Sequence, residues 1–361
     1  SLHDALPICK RPSSLDGIMH NKFFIFDSRD GDPNNDWIWT GSWNVTSLEV
    51  GWENNVIEIN DPAIAEAYEI EFEEMWGSST DVPNSALARF GPHKPDNTPH
   101  SFNVGGRSVK LYFSPSDQTT ARIIDAINTS NSNIYFALLS FTRSDIRQAM
   151  FDRSQLGVTD QRGIIHQSND PFSQFTNLRT FAEVFPNAGP TLHHKYAIVD
   201  ATNAQSRPTL ITGSHNWSNA ANNDNDENTL IIEDVFLANQ YMQEFKSRYN
   251  EAGGTRTFTI PTVSVGGEFS QDLNYKLHQN YPNPFNPSTT IRIEIDKEQQ
   301  VEIELLNILG EKIASIFEGH LQAGTTALHF NSSDLNLSSG VYFYRLKGAG
   351  RFQTLKMILM K

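Results

Sequence analysis

The sequence predicts an α/β fold of two duplicated lobes, the first of them incomplete, followed by a small all-β, immunoglobulin-like sandwich. A set of polar and aromatic residues recurs once along the chain, which indicates duplication of a lobe. In the repeated part, short apolar runs alternate with helical patterns, as expected for a sheet covered by helices on both faces. Residues 277–361 have instead several short strand patterns between turn residues, which is typical of a β-sandwich.

Length and composition restrict the class of protein. The 361 residues suggest two or three domains, and the 38% of hydrophobic residues is enough for buried cores. The net charge of −14 argues mildly against a protein that binds nucleic-acid backbones through a basic face. No run of apolar residues is long enough to predict a membrane span, and Cys9 is the only cysteine, which excludes an intramolecular disulfide.

The repeat is defined by the chemistry of its residues. Three polar residues recur 173 positions later: His20, Lys22 and Asp27 return as His193, Lys195 and Asp200. A Thr-Gly-Ser-x-Asn turn recurs 172 positions later, with Ser42 and Asn44 in the first copy and Ser214 and Asn216 in the second. Glu53-Asn54 is matched with Glu227-Asn228 at an offset of 174. The shared order of residue types predicts that both copies build equivalent surfaces.

Each copy also predicts the same secondary structure. Short apolar runs predict buried strands at residues 23–26, 37–40, 56–59, 196–199, 209–212 and 229–232. A helix over residues 62–76 would bury Ile64, Tyr68, Phe72 and Trp76 on one face, and its counterpart covers residues 236–249. The second lobe has in addition a front half, with strands at 109–113, 134–141 and 163–165 and helices at 119–128 and 143–153.

The front half of the second lobe has no counterpart in the first. Val109 lies 84 residues before His193, whereas only 19 residues precede His20, so we expect the first lobe to lack about half of its sheet. Residues 1–8 look like a translated sequencing adapter. The expected segments are a non-native or fragment end at 1–16, a first-lobe remnant at 17–90, a linker at 91–106, a second lobe at 107–252, a linker at 253–276 and a separate domain at 277–361.

The paired histidines and lysines predict a site for a phosphate group. Residues two apart on a strand share a face, so we expect His20 beside Lys22 and His193 beside Lys195. An ammonium can bind anionic oxygens while an imidazole acts on phosphorus or on the leaving oxygen. We predict that one histidine forms a phosphohistidine, and that the other protonates the leaving alcohol and then activates water.

The other polar residues of the repeat predict supporting roles. Donors to phosphate oxygens are expected from four side chains of the tight turns: Ser42, Asn44, Ser214 and Asn216. Glu53 and Glu227 can each accept a hydrogen bond from a histidine ring, and the sequence leaves open which carboxylate serves which ring. Asp27 and Asp200 follow their histidines at an odd spacing, so we predict that they form a fold-holding ion pair or hold a turn rather than take part in the reaction.

A metal site is the alternative for these histidines and carboxylates. The lysine of each motif would repel a cation, and the cysteine and histidines do not have the spacing of metal ligands. We therefore predict neither a metal nor a cofactor. His194 would point to the opposite strand face from His193, and we predict a structural role for it.

The segments HNKFFIFD with TGSWN, and HHKYAIVD with TGSHN, resemble the repeated motif of the phospholipase D superfamily. The resemblance covers about residues 17–250 and implies a two-lobed phospholipase D-like sandwich. It also implies that His20 is the nucleophile and His193 the general acid. Members often have an asparagine two places before the glutamate, which Asn225 satisfies and Gly51 does not. This departure leaves an auxiliary contact of the first lobe open.

Residues 277–361 resemble a second family. The segments LHQNYPNPFNPSTTI, NILGEKI, LSSGVYFYRL and KMILMK are similar to the type A sorting domain of type IX secretion. That resemblance implies recognition by the type IX machinery and a secreted or outer-membrane-attached location in a Gram-negative bacterium. A carbohydrate-binding or adhesive module is the alternative, because a β-sandwich alone does not define a function.

Four functions fit the sequence to different degrees. The leading prediction is a secreted phosphodiesterase of phospholipase D type that acts on a phospholipid. A secreted, metal-independent nuclease would keep the chemistry and change the substrate to nucleic acid, and the acidic composition weighs only weakly against it. A transferase is disfavoured because its usual members are membrane-bound. An inactive surface-binding protein is disfavoured because both motifs are whole.

Overall fold

A computed structural model describes residues 17–29, 31–203, 206–258, 275–307, 312–335, 337–348 and 351–360. The predicted fragment end at 1–16 and most of the predicted linker at 253–276 lie outside these residues. The chain divides into two compact units, Ser1–Pro261 and Thr262–Lys361. Among the described residues, none of the helices combines the length and the apolar character needed to cross a membrane.

The first lobe is a three-stranded antiparallel sheet with one helix. The strands β1 (Phe23–Phe26), β2 (Trp37–Gly41) and β3 (Val56–Asn60) lie in the order β1-β2-β3. The helix α1 (Pro62–Trp76) begins after Asp61, whose side chain accepts hydrogen bonds from the N–H groups of residues 63 and 64. These elements confirm the predicted positions of the strands and the helix, but β1 and β3 have exposed residues at alternate positions and are not the buried strands that the sequence predicted.

The buried face of α1 differs from the predicted one. Ile64 and Tyr68 are buried, whereas Phe72 is 38% exposed and stacks on Trp76 with ring centroids 5.5 Å apart. Four residues advance an α-helix by more than one turn, so each such step drifts by about 40° around the axis. The buried stripe therefore continues through Glu71 and Met75 instead.

The second lobe is built on one eight-stranded mixed sheet in the order β4-β5-β11-β10-β9-β6-β7-β8. Its strands are β4 (Ser101–Val104), β5 (Arg107–Ser114), β6 (Asn133–Leu138), β7 (Asp160–Ile165), β8 (Glu183–Pro186), β9 (Lys195–Val199), β10 (Thr209–Gly213) and β11 (Glu227–Glu233). Its helices are α2 (Thr119–Asn128), α3 (Ser144–Gln155), α4 (Phe175–Leu178), α5 (Asn219–Asn223) and α6 (Val235–Glu251). The predicted strands and helices of this lobe are present, and the strand predicted to reach Phe141 ends at Leu138.

The segment predicted as a linker at 91–106 is an ordered part of the structure. Residues 101–104 form β4, which pairs with β5. Lys94 is buried, and its ammonium group contacts the carboxylates of Glu71 on α1 and Asp226 just before β11. The prediction was wrong because Pro and polar residues indicated a loop, while a buried ion-pair network and a short hairpin fix the chain.

The two lobes share one hydrophobic core. Side chains of β2, β3 and α1, such as Ile38, Ile59 and Tyr68, pack against Val109 of β5 and Leu230 of β11. The three-stranded sheet is therefore covered on one face by the second lobe. Its β1 strand alternates between partly buried Phe23 and Ile25 and the half-exposed residues Phe24 and Phe26, whereas all five residues of the equivalent β9 are buried between β10 and β6.

The C-terminal unit is a sandwich of a three-stranded sheet, β12-β13-β16, and a four-stranded sheet, β15-β14-β17-β18. The strands are β12 (Tyr275–Leu277), β13 (Ser288–Ile295), β14 (Gln299–Leu306), β15 (Lys312–Leu321), β16 (Gly324–Asn331), β17 (Gly340–Gly348) and β18 (Arg351–Leu359). Its core includes Ile293, Ile303 and Tyr344. Alternating buried and exposed residues along β13 confirm the predicted all-β sandwich.

Asp200, directly after β9, binds the loop that leads into β6, whereas the sequence predicts a fold-holding ion pair or a turn role for it. Its carboxylate accepts hydrogen bonds from the backbone N–H of Asn131 at 2.9 Å and of Ser132 at 2.8 Å, and from the Ser132 hydroxyl at 2.9 Å. The equivalent Asp27 has the same left-handed backbone, with φ of 58° at both positions, but is exposed.

Replacing Asp200 by asparagine is expected to destabilise the N-terminal unit by about 1–3 kcal/mol, because buried N–H groups lose a charged acceptor. All six tryptophans lie in this unit, so urea unfolding followed by tryptophan fluorescence measures its free energy of unfolding. Asp27→Asn is the matched control and should change that free energy by less than about 0.5 kcal/mol. Equal effects of the two substitutions would contradict the assignment.

Candidate active site

The two histidines lie just before their strands and are tied to the opposite lobe. The backbone N–H of His20 donates to the carbonyl of Asp226 at 2.9 Å, and that of His193 donates to the carbonyl of Glu53 at 2.8 Å. This corrects the expectation that each histidine is part of a strand, since β1 begins at Phe23 and β9 at Lys195. The crossed backbone bonds place both rings at the junction of the lobes.

Each lysine is buried and folds back on its histidine. Lys22 Nζ donates to the carbonyl of His20 at 2.8 Å, and Lys195 Nζ donates to that of His193 at 2.7 Å. Burial lowers the pKa of Lys22 to about 8, although Glu227 and Glu49 oppose the shift. Burial, followed by repulsion from Lys22, lowers the pKa of Lys195 well below its usual value. Two neighbouring buried ammonium groups favour an anion between them.

The carboxylate of Glu227 is hydrogen-bonded to the histidine of the other lobe. Its Oε2 lies 2.7 Å from Nδ1 of His20 and also accepts from the Ser214 hydroxyl at 2.7 Å. Burial alone would raise the pKa of Glu227, but the imidazole of His20 outweighs it and holds that pKa below its usual value. The pairing answers the question that the sequence left open for this carboxylate.

The first-lobe counterpart of Glu227 is Asn54, not Glu53. Strand pairing matches Gly41 with Val56 and Gly213 with Thr229, so Asn54 and Glu227 occupy equivalent positions two residues earlier. The hydroxyl of Ser42 donates to Asn54 Oδ1 at 2.9 Å, as Ser214 does to Glu227. The predicted offset of 174 is therefore wrong by one residue.

Glu53 consequently does not contact the ring of His20 or of His193 in the described part of the chain. Its carboxylate pairs with the guanidinium of Arg248, which also contacts Glu244. Ligand atoms of Glu53, His194 and Glu244 lie within 4.8 Å of one another, and the guanidinium of Arg248 contacts both carboxylates of this group. The cluster fits an ion-pair network better than a metal site.

The ring of His193 is held by an amide. Its Nδ1 lies 2.9 Å from Oδ1 of Asn54, which places the proton on Nδ1 and leaves Nε2 with its lone pair. Burial and then the charges of Lys195, Lys22 and His20 lower the pKa of His193 to about 3. His193 is therefore neutral near pH 7 when no anion neutralises the lysines.

The tight turns hold the site together. A Cβ on Gly41 would lie 2.1 Å from the carbonyl oxygen of Asn55, and one on Gly213 would lie 2.3 Å from that of Asn228. Glycine is therefore required at both turns.

The hydroxyls of Ser42 and Ser214 are already engaged within the protein. They donate to Asn54 and Glu227 and accept hydrogen bonds from backbone N–H groups, so their predicted role as phosphate donors is not supported.

The two turn asparagines are placed differently. Asn44 donates its backbone N–H and its side-chain amide to Glu49, so it is engaged within the protein. The Oδ1 atom of Asn216 is buried and has no protein partner among the described residues. Because Oδ1 is an acceptor, this atom does not support the predicted donation from Asn216 to a phosphate oxygen, and the amide of Asn44 is directed at a carboxylate.

His194 and the asparagines after Asn54 and Glu227 join the lobes. His194 is buried, with Nδ1 3.1 Å from Oδ1 of Asn55 and Nε2 3.1 Å from Glu244, which agrees with the predicted structural role. Asn55 donates to Thr212 at 2.8 Å, and Asn228 accepts from Thr40 at 3.0 Å. Each lobe therefore supplies an asparagine to the other.

Sequence reasoning missed three residues of the site. Glu49 is buried with its Oε2 3.6 Å from Nδ1 of His193. His215 is buried, both of its ring nitrogens are without a protein partner in the described part of the chain, and burial lowers its pKa to about 4. Asn54 was matched with the wrong residue. The variable position of the Thr-Gly-Ser-x-Asn turn could have indicated His215, whereas no local pattern marks Glu49.

Two family profiles match the chain. The family described as "Cardiolipin synthase, PLD-like domain" matches residues 5–76 and 123–249, which is more than half of the chain. The family described as "Secretion system C-terminal sorting domain" matches residues 279–360. The two matches fall in different compact units.

Curated relatives cover part of the chain. A phospholipase D of Rickettsia bellii is 32% identical over 163 residues, which is 43% of this chain and 78% of the relative. A mitochondrial cardiolipin hydrolase of Mus musculus is 39% identical over 165 residues, 42% of this chain and 67% of the relative.

Among solved structures, NucT from Helicobacter pylori is similar at 22% identity and a TM-score of 0.36, over 41% of this chain and 99% of its own. The phospholipase D family member Nuc from Salmonella typhimurium is similar at 25% identity and a TM-score of 0.35, over 42% and 99%. With its paired motifs and the two matching profiles, the chain belongs to the phospholipase D-like family of the cardiolipin synthase type and carries a C-terminal secretion sorting domain.

Proposed function

We propose that this protein hydrolyses phosphodiester bonds through a phosphohistidine formed on His20. The observation that carries the proposal is the hydrogen bond of 2.7 Å between Nδ1 of His20 and the buried carboxylate of Glu227. A carboxylate on Nδ1 raises the basicity of Nε2 and stabilises the positive charge that the ring gains when Nε2 bonds to phosphorus. Among the residues that the structure describes, His193 is hydrogen-bonded to an amide and has no equivalent hydrogen bond to a carboxylate.

The first step forms a bond between Nε2 of His20 and phosphorus and breaks the bond to the leaving oxygen. The leaving alkoxide takes a proton from Nε2 of His193. His193 is neutral in the empty site, but an anionic phosphate between Lys22 and Lys195 offsets the charges that depress its pKa, so the ring can gain a proton with the substrate. The two ammonium groups also stabilise the phosphoryl oxygens in the transition state.

The second step releases the product. Water attacks the phosphorus of the phosphohistidine, the bond to His20 breaks, and His193 accepts the proton that the water loses. The products are an alcohol and a phosphate monoester. The lysines supply the positive charge that a divalent cation supplies in metal-dependent phosphodiesterases, so no step requires an added metal.

The residues flanking the histidines support a lipid substrate. Leu48 and Val50 are 70% and 75% exposed on the short helical turn Ser47–Gly51, which also holds Glu49 against His193. Ile18 and Met19, directly before His20, are at least half exposed. Exposed aliphatic side chains next to a site fit the surface of a lipid aggregate rather than a nucleic-acid backbone. Two relatives are a phospholipase D and a cardiolipin hydrolase, which supports the same choice.

A nuclease is the second candidate. It would use the same histidines and lysines, and similar structures include NucT and Nuc. The net charge of −14 favours the lipid over this alternative.

Substituting either histidine is expected to lower turnover by about 10³-fold or more, because the two act as one unit. With a diester that has a p-nitrophenyl leaving group, His193→Ala should still form the phosphohistidine but hydrolyse it slowly. Rapid quenching and peptide mass spectrometry should then find the phosphoryl group on His20. Full activity in excess EDTA is the accompanying expectation. A phosphoryl group on another residue, or loss of activity that zinc restores, would overturn the mechanism.

The substrate class is tested by offering phosphatidylcholine vesicles and single-stranded DNA in parallel. We expect vesicle hydrolysis, and we expect Leu48→Asp to reduce it by about tenfold, because a charged side chain resists burial in lipid, while leaving a soluble diester unaffected. Leu156 is a matched control, 71% exposed near the start of β7 and so at the far end of β6 from Lys195. Cleavage of DNA without vesicle hydrolysis would favour the nuclease.

We further propose that residues 277–361 direct export through a type IX machinery, with the protein ending at the cell surface or in the medium. The sorting-domain match over residues 279–360 supports this proposal. A reporter with a signal peptide, fused to residues 277–361, is expected to reach the surface or medium of a type IX-competent host. Retention in the periplasm, with the reporter folded, would contradict it.

A further inference from the structure

Glu49 is a buried carboxylate that the repeated motif does not account for. It lies on the helical turn Ser47–Gly51 and is only 6% exposed. Its Oε2 is 3.6 Å from Nδ1 of His193, and its charge reaches the ammonium groups of both Lys22 and Lys195. A carboxylate in this position needs an explanation, because an isolated buried charge is costly.

The rings of His20 and His193 have chemically different hydrogen-bond partners at Nδ1. His20 receives a carboxylate from Glu227, whereas the equivalent position for His193 holds the neutral amide of Asn54. An amide oxygen can accept a hydrogen bond from Nδ1–H and so fix the tautomer. It has no negative charge with which to stabilise an imidazolium. A histidine that protonates a leaving group must carry that positive charge before it reacts.

We propose that Glu49 is the positioning carboxylate of His193 and supplies, from a different segment, the negative charge that Asn54 lacks. The proposal rests on the proposed function, in which His193 is the general acid. Oδ1 of Asn54 accepts a hydrogen bond from Nδ1–H of His193 at 2.9 Å, and Glu49 stabilises the protonated ring at 3.6 Å without replacing that hydrogen bond.

Asn44 fixes Glu49 in place. The backbone N–H of Asn44 donates to Oε2 of Glu49 at 3.0 Å, and its side-chain amide donates to Oε1. Both carboxylate oxygens are therefore held by one residue of the Thr-Gly-Ser-x-Asn turn. This assigns Asn44 to the support of Glu49, whereas Oδ1 of Asn216, in the second lobe, has no protein partner among the described residues.

The charges around His193 explain when Glu49 matters. Lys195, Lys22 and His20 face the ring and disfavour its protonated form in the empty site. Glu49 and, around the lysines, Glu227 are the opposing carboxylates. Once an anionic phosphate has offset the lysines, Glu49 is the carboxylate that remains close to His193. Its effect should therefore be largest in the complex with phosphate.

The test compares two leaving groups in Glu49→Gln. We expect a loss of about 10–100-fold with a diester whose leaving group is an alkyl alcohol, which needs the proton, since general acid catalysis contributes about 10²–10⁴-fold. With a p-nitrophenyl leaving group, which departs without a proton, the loss should be less than about threefold in the first step. The alkaline limb of the pH profile should move to lower pH, because removing a negative charge lowers the pKa of His193 in the complex.

A second substitution tests whether the charge itself is required. Asn54→Asp returns a carboxylate to the position equivalent to Glu227, so the double variant Glu49→Gln/Asn54→Asp should recover most of the activity with the alkyl leaving group. Glu58→Gln removes the same charge from an exposed position of β3 and should leave the pH profile unchanged. Equal losses with both leaving groups, together with no recovery in the double variant, would overturn the proposal.

A measurement without turnover separates this proposal from the proposed function. In the full chain saturated with inorganic phosphate, nitrogen NMR of His193 should report a lower pKa in Glu49→Gln than in the unmodified protein. An identical pKa in the two proteins overturns the role of Glu49. Absence of activity on every diester, with a shifted His193 pKa, overturns the proposed function and leaves the positioning role supported.

Discussion

The hydrogen bond from His20 to Glu227 crosses from one lobe to the other, and the geometry of the site depends on this crossing. The same exchange is repeated by Asn54 and His193, and by the asparagines that follow Asn54 and Glu227. Because the rings are held at Nδ1 by the opposite lobe, the separation of the two Nε2 atoms is set by how the lobes pack. The shared core between β2, β3, α1 and the strands β5 and β11 thus fixes the geometry of the candidate site as well as the fold.

Electrostatics explains why the site is buried and yet suited to an anion. Two ammonium groups with depressed pKa values stand beside the histidines, and burial makes each of them costly in the empty state. In the proposed reaction a bound phosphate would remove that cost and make binding energy available at the reacting atoms. The same phosphate would raise the pKa of His193, so that substrate binding and protonation of this histidine would be coupled.

Much of this arrangement could be predicted from the sequence, and the failures have definite causes. Short apolar runs located β1, β2, β9 and β10 because strand burial depends on local pattern. The pairing of Glu53 with Glu227 failed because identical residue types were aligned, whereas backbone pairing sets the register and a shift of one residue exchanges the faces. Glu49 could not be found, since its position depends on a turn that brings it to His193 from outside the motif.

Asn55 and Asn228 form a pair of equivalent contacts, one from each lobe to the other. An interface between two identical chains has the same property, because two-fold symmetry makes each chain contribute the same residue to the other. A lobe of this kind on its own would complete such a site only by pairing with a second copy. In a single chain the two halves can differ, as the amide at Asn54 opposite the carboxylate at Glu227 shows.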